Sequence, residues 1–476
     1  MLLRRFHDPK LAQTSYLIAC ARAKEAVVVD PNRDAEQYVR AAESEGVRIA
    51  HVTETHVHAD FVSGSRELAA RTGARVYLSA EGGPDWTYDF ASSDNAVLLH
   101  GGDHVDVGEV RLSVLHTPGH TPEHLTFLVT DRAAADEPMG ALTGDFIFVG
   151  DVGRPDLLER AAKVQGTMRE SARALFASLR RFATLPDWLQ LWPGHGAGSA
   201  CGKGISAMPY TTLGYERRFN WAFAVHDEDE FVRMVLEGQP DPPAYFAEMK
   251  RVNKRGPRVL GKLPRPALLE APGLASRLSL GATIIDTRAA AAFASGHIPG
   301  TINIPLNKSF STWAGSIVPY ESDVYLIVDG DVETRAVEAA QDLAMIGLDR
   351  VKGYFGAETL AAWERNGKLA TTPQIHAAEL AAMVSKGEVA VIDVRNASEW
   401  EAGHIPDTPN VPLATLAERV GEIPRDRPVV VHCQLGARSA IAASVLRAHG
   451  VERVVNLTGG LAEWQDAGLP VAPERR

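Results

Sequence analysis

Cysteine is nearly absent: Cys20, Cys201 and Cys433 are the only three in 476 residues. An odd, scattered set of thiols is no disulfide framework, and free thiols persist in reducing compartments. Positive charge is also in deficit, the formal net charge being -11. That balance argues against nucleic acid or an anionic membrane as a main partner, since both reward a positive field. It leaves room for a local basic pocket facing an anionic substrate. No apolar run approaches the ~20 residues that cross a bilayer, and the start, MLLRRFHDPK, has no signal-peptide apolar core. The expected location is the cytoplasm. What the chain does have is 45% hydrophobic and 23% charged residues, a composition able to bury cores. Its length suits about three domains of about 100–200 residues each.

The first 250 residues read as strands alternating with helices. VVVD at 27–30 is a short buried-strand pattern, 34–46 carries helical spacing up to Gly46, and 47–53 is again a strand. Residues 76–78 and 110–115 repeat the strand signal. Segment 251–266 is basic and rich in Gly and Pro, which predicts a linker. Beyond it the chain repeats itself. IIDTR at 284–288 answers VIDVR at 391–395, SGHIP at 295–299 answers AGHIP at 402–406, and TINIPL answers PNVPL. Copies of about a hundred residues are domains rather than solenoid units. The expected boundaries are 1–250, a linker at 251–266, then 267–370 and 373–476, with both copies of α/β type.

Histidine and carboxylate crowd the strand ends. THVHAD at 55–60 follows a strand, and HTPGH at 116–120, TGD at 143–145 and PGHG at 193–196 follow further apolar runs. Such groups in loops at strand ends suit a divalent metal. In this order the four motifs resemble the metallo-β-lactamase superfamily over residues 1 to about 250, which implies an αββα sandwich with a metal at the edge of its sheets. Dinuclear hydrolases of that superfamily place a histidine directly after the aspartate, where this chain has Phe61. An apolar ring cannot ligate. The pattern therefore resembles the persulfide dioxygenases, and the resemblance implies one Fe(II) per chain held by His56, His120 and Asp145. Two histidines and a carboxylate on one face leave positions open for a thiolate and dioxygen. His58, Asp60 and His195 then either orient ligands and bind water or are structural. DFIFVGDVGRP at 145–155 also resembles this family and assigns Arg154 either to the substrate's anionic part or to a solvated surface. The segment GHGAGSACGKG lacks the Asp-Tyr pair of the glutathione-specific relatives and carries Cys201, either a sulfur-handling thiol or a small buried hydrophobe.

In the last copy an apolar strand at 429–432 feeds the loop Cys433-Gln-Leu-Gly-Ala-Arg438-Ser439, followed by a helix. Backbone N–H groups in such a loop form an anion nest, and the helix N-terminus adds positive potential. Both stabilise a thiolate or persulfide. With VIDVR and AGHIP upstream, this resembles the rhodanese sulfurtransferases and implies Cys433 as sulfane-sulfur acceptor with Arg438 at the loop end. Aligning the middle copy sets Asp329 opposite Cys433. A carboxylate cannot hold sulfane sulfur, and Asp329, Asp331 and Glu333 would repel sulfite or thiosulfate. Residues 267–370 are thus expected to lack the reaction.

Together the resemblances imply an αββα sandwich followed by two α/β rhodanese-like domains. The expected activity is oxidation of small-molecule persulfides by O2 to sulfite and thiol, joined to sulfur transfer that forms or consumes thiosulfate, in a homo-oligomer. One rival is a zinc thioesterase of the hydroxyacylglutathione hydrolase kind. The other is a non-enzymatic persulfide carrier or sensor using Cys433 and Cys201.

Overall fold

The computed structural model describes residues 1–162 and 166–472, so the last four residues of the expected 373–476 domain lie outside it. The chain divides into two compact units, Met1–Leu263 with Met345–Gly347, and Pro264–Ala344 with Leu348–Arg476.

The first unit is built on two six-stranded sheets. One runs in sequence order from Leu2–Asp8 through Gln13–Cys20, Glu25–Val29, Arg48–Thr53 and Arg75–Ser79 to Val97–Leu99. The other runs in reverse order from Thr211–Thr212 through Gln190–Pro193, Gly140–Gly144, Leu125–Asp131 and Val110–His116 to His104–Val107. Alternation along the strands produces three cores. Tyr16, Ile18, Val27 and Val29 from the first sheet meet Val105, Val114, Phe127 and Trp192 from the second. Leu17, Val28 and Val52 point the other way and pack under Tyr38 and Leu68 of helices Ala35–Ser44 and Ser65–Thr72. Leu128, Ala141 and Leu191 pack under Leu175 and Leu179 of Met168–Phe182 and Val232 of Glu228–Leu236. Helix, sheet, sheet, helix is the expected sandwich.

The segment read as a linker departs from expectation at its start. Helix Phe246–Arg255 buries Phe246, Met249 and Asn253. The Asn253 amide donates to the carbonyls of His58 (2.8 Å) and Phe61 (2.7 Å), and its oxygen accepts from the Ser63 N–H (2.9 Å). Basic composition marked the exposed face of an amphipathic helix here, so 251–255 belongs to the first unit, which continues to Leu263.

The second unit holds two four-stranded parallel sheets. Ile302–Asn303, Thr283–Asp286, Val324–Val328 and Val351–Gly356 form one; Gln374–Ile375, Val454–Leu457, Val429–His432 and Ala390–Asp393 form the other. Among the described residues no helix is long and apolar enough to cross a membrane.

Candidate metal centre and sulfur-transfer loop

His56, His58 and Asp60 follow strand Arg48–Thr53 of the first sheet. His120 lies on the turn before Leu125–Asp131, Asp145 directly after Gly140–Gly144, and His195 two residues after Gln190–Pro193, all on the second sheet. The strand ends converge on the Asp145 carboxylate. Its Oδ2 lies 3.8 Å from His56 Nε2 and 3.4 Å from the Nε2 atoms of both His120 and His195. All four residues are buried, and neither Asp145 oxygen accepts a hydrogen bond among the described residues. Gly194 makes room: a Cβ there would stand 2.9 Å from Asp145 Oδ1.

Each histidine is fixed through its other nitrogen. Thr55 Oγ1 donates to Asp30 (2.9 Å) and so accepts from His56 Nδ1 (2.9 Å). His120 Nδ1 donates to the Arg154 carbonyl, and His195 Nδ1 to the Ala12 carbonyl, both at 3.0 Å. In His56 and His120, Nε2 therefore keeps its lone pair and faces inward, the arrangement a metal-ligating histidine requires; burial would lower His195 too, but Asp145, Cys201 and Asp60 outweigh it and raise that imidazole well above its ordinary range. Burial holds His56 and His120 below the ordinary imidazole range, which keeps them unprotonated. Burial would also raise Asp145, but His195 and His56 outweigh it and keep the carboxylate ionised. The donor atoms of His56, His120 and Asp145 lie within 4.8 Å of one another and fit a divalent metal such as Fe(II).

The remaining residues of the motifs divide. His58 turns away: its Nε2 sits 3.0 Å from Asp30 Oδ1, and the Asp30, Glu54 and Asp60 carboxylates overcome burial to raise it to about 9. His116 is half-buried and directs Nε2 to the Pro122 carbonyl. Asp60, His195 and Cys201 form a second cluster of donors within 4.8 Å. Burial, with Asp145 and Asp60 nearby, pushes the Cys201 thiol up to about 12.

Arg154 is no solvated surface residue. It is fully buried, its guanidinium forked on Asp156 (2.8 and 2.7 Å). It also donates from its N–H to the Cys201 carbonyl (3.1 Å) and from Nη1 to the Ala200 carbonyl (3.2 Å). One residue thus ties the His120 ring to the Cys201 loop. Sequence reading missed Asp30, Thr55 and His124. Asp30 adopts a φ of +52° to reach Thr55 and His58, a signal no motif displays. His124 stacks on His56 at 5.2 Å and accepts the Asp145 N–H at 3.2 Å.

In the last copy Cys433 is buried at the end of Val429–His432. Its Sγ accepts from the Gly436 N–H (3.1 Å) and from Ser439 Oγ (3.6 Å), directly before helix Ala437–Ala448. Gly436 has a φ of +92°, and a Cβ there would stand 1.7 Å from the Thr458 carbonyl oxygen, so only glycine fits. Arg438 is forked on Glu399 (2.6 and 2.7 Å).

The middle copy corrects the alignment by one residue. Asp286 pairs with Ile327 as Asp393 pairs with His432, and helices begin at Val332 and Ala437, five residues on in each. Val328, rather than Asp329, occupies the place of Cys433. Asp331 and Glu333 then stand opposite Gly436 and Arg438.

A family model described as the metallo-beta-lactamase superfamily matches residues 8–195, and one described as a rhodanese-like domain matches 270–357 and 376–467. The crystal structure of a metallo-beta-lactamase from Staphylococcus aureus is 42% identical, with a TM-score of 0.68, over 75% of this chain and 99% of that one. The chain belongs to the metallo-beta-lactamase superfamily and carries two rhodanese-like domains. The chain is 28% identical over 239 residues to bovine persulfide dioxygenase ETHE1, 49% of this chain and 80% of the relative. A sulfurtransferase of Allochromatium vinosum is 44% identical over 88 residues, 18% of this chain and 82% of the relative. Relatives named as hydrolases match at comparable identity, so the activity must be argued from the site.

Proposed function

We propose that this chain oxidises low-molecular-weight thiol persulfides with dioxygen at one Fe(II), giving sulfite and the free thiol, and passes sulfane sulfur through Cys433 to form or consume thiosulfate. The observation that carries the first half is the inward-facing set of His56, His120 and Asp145, two imidazoles and one carboxylate with their tautomers fixed. His56, His120 and Asp145 would hold the Fe(II), which would supply Lewis-acid and redox activation of dioxygen toward the persulfide sulfur. Buried Phe61, Phe146 and Phe148 pack against His58, His124 and His195, the histidines beside this set. The reaction balances as RSSH + O2 + H2O giving RSH, sulfite and two protons. The likeness to a persulfide dioxygenase and to a sulfurtransferase supports pairing these activities.

In the second half, the Cys433 thiolate attacks a sulfane sulfur. The donor S–S bond breaks, and the donor leaves as its thiolate, or as sulfite when thiosulfate is the donor. The Gly436 N–H and the N-terminus of Ala437–Ala448 favour negative charge on the incoming sulfur. Attack by sulfite on the outer sulfur returns the Cys433 thiolate and releases thiosulfate. Joining both activities in one chain raises the effective concentration of the shared sulfur species.

Anaerobic purification with metal analysis, followed by oxygen uptake on adding glutathione persulfide, tests the first half. About one iron per chain and an uptake abolished in Asp145→Ala are expected. Zinc in its place, with no uptake for any persulfide after iron reconstitution, would overturn the reading.

A further inference from the structure

Arg154 is engaged by Asp156 and two loop carbonyls, so it is not the cation that an anionic substrate meets. Another cation lines a cavity against the turn that bears His120. This cavity, of about 620 Å³, is walled by Pro118, Gly119 and Pro122 of that turn, by Trp86 and by Lys250. Its volume lies in the range of about 300–1,000 Å³ that small ligands occupy.

The position of Lys250 is built. Helix Phe246–Arg255 is anchored by buried Phe246, Met249 and Asn253, and half-buried Lys250 lies over the Trp86 ring with Nζ 3.7 Å from its centroid. Gly82, at a φ of +85°, lets buried Trp86 close on Glu123: a Cβ on Gly82 would stand 2.8 Å from Trp86 Cβ and 2.9 Å from Glu123 Cβ. No carboxylate pairs with Lys250 among the described residues. The Glu123 carboxyl is turned to the Val57 N–H (2.8 Å), and burial pushes it up to about 7, so it is only a partial counter-charge. Burial lowers Lys250 to about 8, which leaves it a cation at neutral pH. An ammonium held on an aromatic face without an ion pair favours an anion from outside. The other walls limit which anion. Asp85 and Glu170 also line the cavity, and their charge disfavours a polyphosphate. A carboxylate at Lys250 with an ammonium near Asp85 or Glu170 is the charge pattern of an α-amino acid.

We infer that Lys250, held on Trp86, seats a carboxylate of the thiol carrier, and that the carrier is an amino-acid-type thiol rather than a phosphorylated one. The assignment rests on the persulfide reading above, which supplies the carrier. A carrier seated in the cavity lies against the turn that bears His120. Lys250 is then a specificity-determining residue: it touches the carrier and not the reacting sulfur.

The test measures binding of reduced glutathione to the full-length, iron-loaded chain by anaerobic calorimetry, beside its diethyl ester, which keeps the thiol and lacks both free carboxylates. The wild type should bind glutathione at least about tenfold more tightly than the ester. Lys250→Met, which keeps the stem and removes the charge, should bind the two alike, and Lys250→Arg should restore the preference. In oxygen uptake with glutathione persulfide, Lys250→Met should raise KM about tenfold and leave kcat within about twofold, as loss of uniform binding does. Acid and ester bound alike by the wild type, a comparison that needs no variant, would overturn the seat, as would a preference that survives in Lys250→Met. Coenzyme A bound more tightly than glutathione would overturn the choice of carrier. Oxygen uptake without a Lys250-dependent preference defeats the seat alone. A Lys250-dependent preference without oxygen uptake from any persulfide defeats the dioxygenase reading and leaves the seat standing.

Discussion

The two rhodanese-like domains share a frame and differ in one loop. In the first, the Arg288 guanidinium pairs with Asp286 and donates to the Gly296 carbonyl (3.0 Å); in the second, Arg395 pairs with Asp393 and donates to Gly403 (2.7 Å). His297 Nδ1 reaches the Phe293 carbonyl as His404 reaches Trp400, both at 2.9 Å. Asn303 donates to the carbonyls of Asp286 and Arg288 as Asn410 does to those of Asp393 and Arg395. The repeated motifs are therefore structural, a buried ion pair and two caps that tie the first strand to the following loop. The chemistry lies in what the frame carries. Val328 offers no nucleophile where Cys433 does, and Glu333 reverses the charge of Arg438. Asp331 lacks the positive φ of Gly436, so its N–H is not turned to the sulfur in the same way.

This contrast can be broken in stages. Cys433→Ser should lower thiosulfate-to-thiol sulfur transfer by about 10³-fold or more, as loss of a nucleophile does, while oxygen uptake persists; both are read on one preparation. Removing the shared frame should act alike in the two domains. Arg288→Ala and Arg395→Ala each remove the guanidinium from an almost wholly buried aspartate, at about 3–5 kcal/mol, seen as a lowered midpoint in denaturant. Near-equal losses are expected; a large loss in one domain alone would show that the parallel is only geometric. Arg438→Ala should cost about tenfold in sulfur transfer, equal to ~1.4 kcal/mol, with little change in stability because the Glu399 partner is about a third exposed. Val328→Cys alone should produce no sulfurtransferase. Detectable transfer should need Asp331→Gly and Glu333→Arg as well, and activity in the single variant would contradict the importance of the loop.

Much of this was legible in the sequence, and the gaps have physical causes. Strands expected at 47–53 and 110–115 are Arg48–Thr53 and Val110–His116, because alternation and β-branched residues are local signals. The motifs at 55–60, 116–120, 143–145 and 193–196 sit on strand ends that the sandwich gathers at one edge. Composition misread 251–255, since Lys and Arg on one face of a helix look like a linker when its buried face is short. The Asp329 alignment slipped by one because apolar residues fill both strands and only the pairing of Asp286 with Ile327 fixes the register. Asp30 went unread, and the burial of Arg154 was not foreseen, because their roles depend on contacts with distant loops, Asp30 with Thr55 and His58, Arg154 with Ala200.

The central claim is that two separable chemistries act on persulfide sulfur. The most direct test is to measure oxygen consumed, sulfite and thiosulfate together on iron-loaded Cys433→Ser given glutathione persulfide. Equal amounts of oxygen consumed and sulfite formed, with no thiosulfate, are expected. Thiosulfate formation undiminished by the substitution, or sulfite without oxygen consumption, would contradict it.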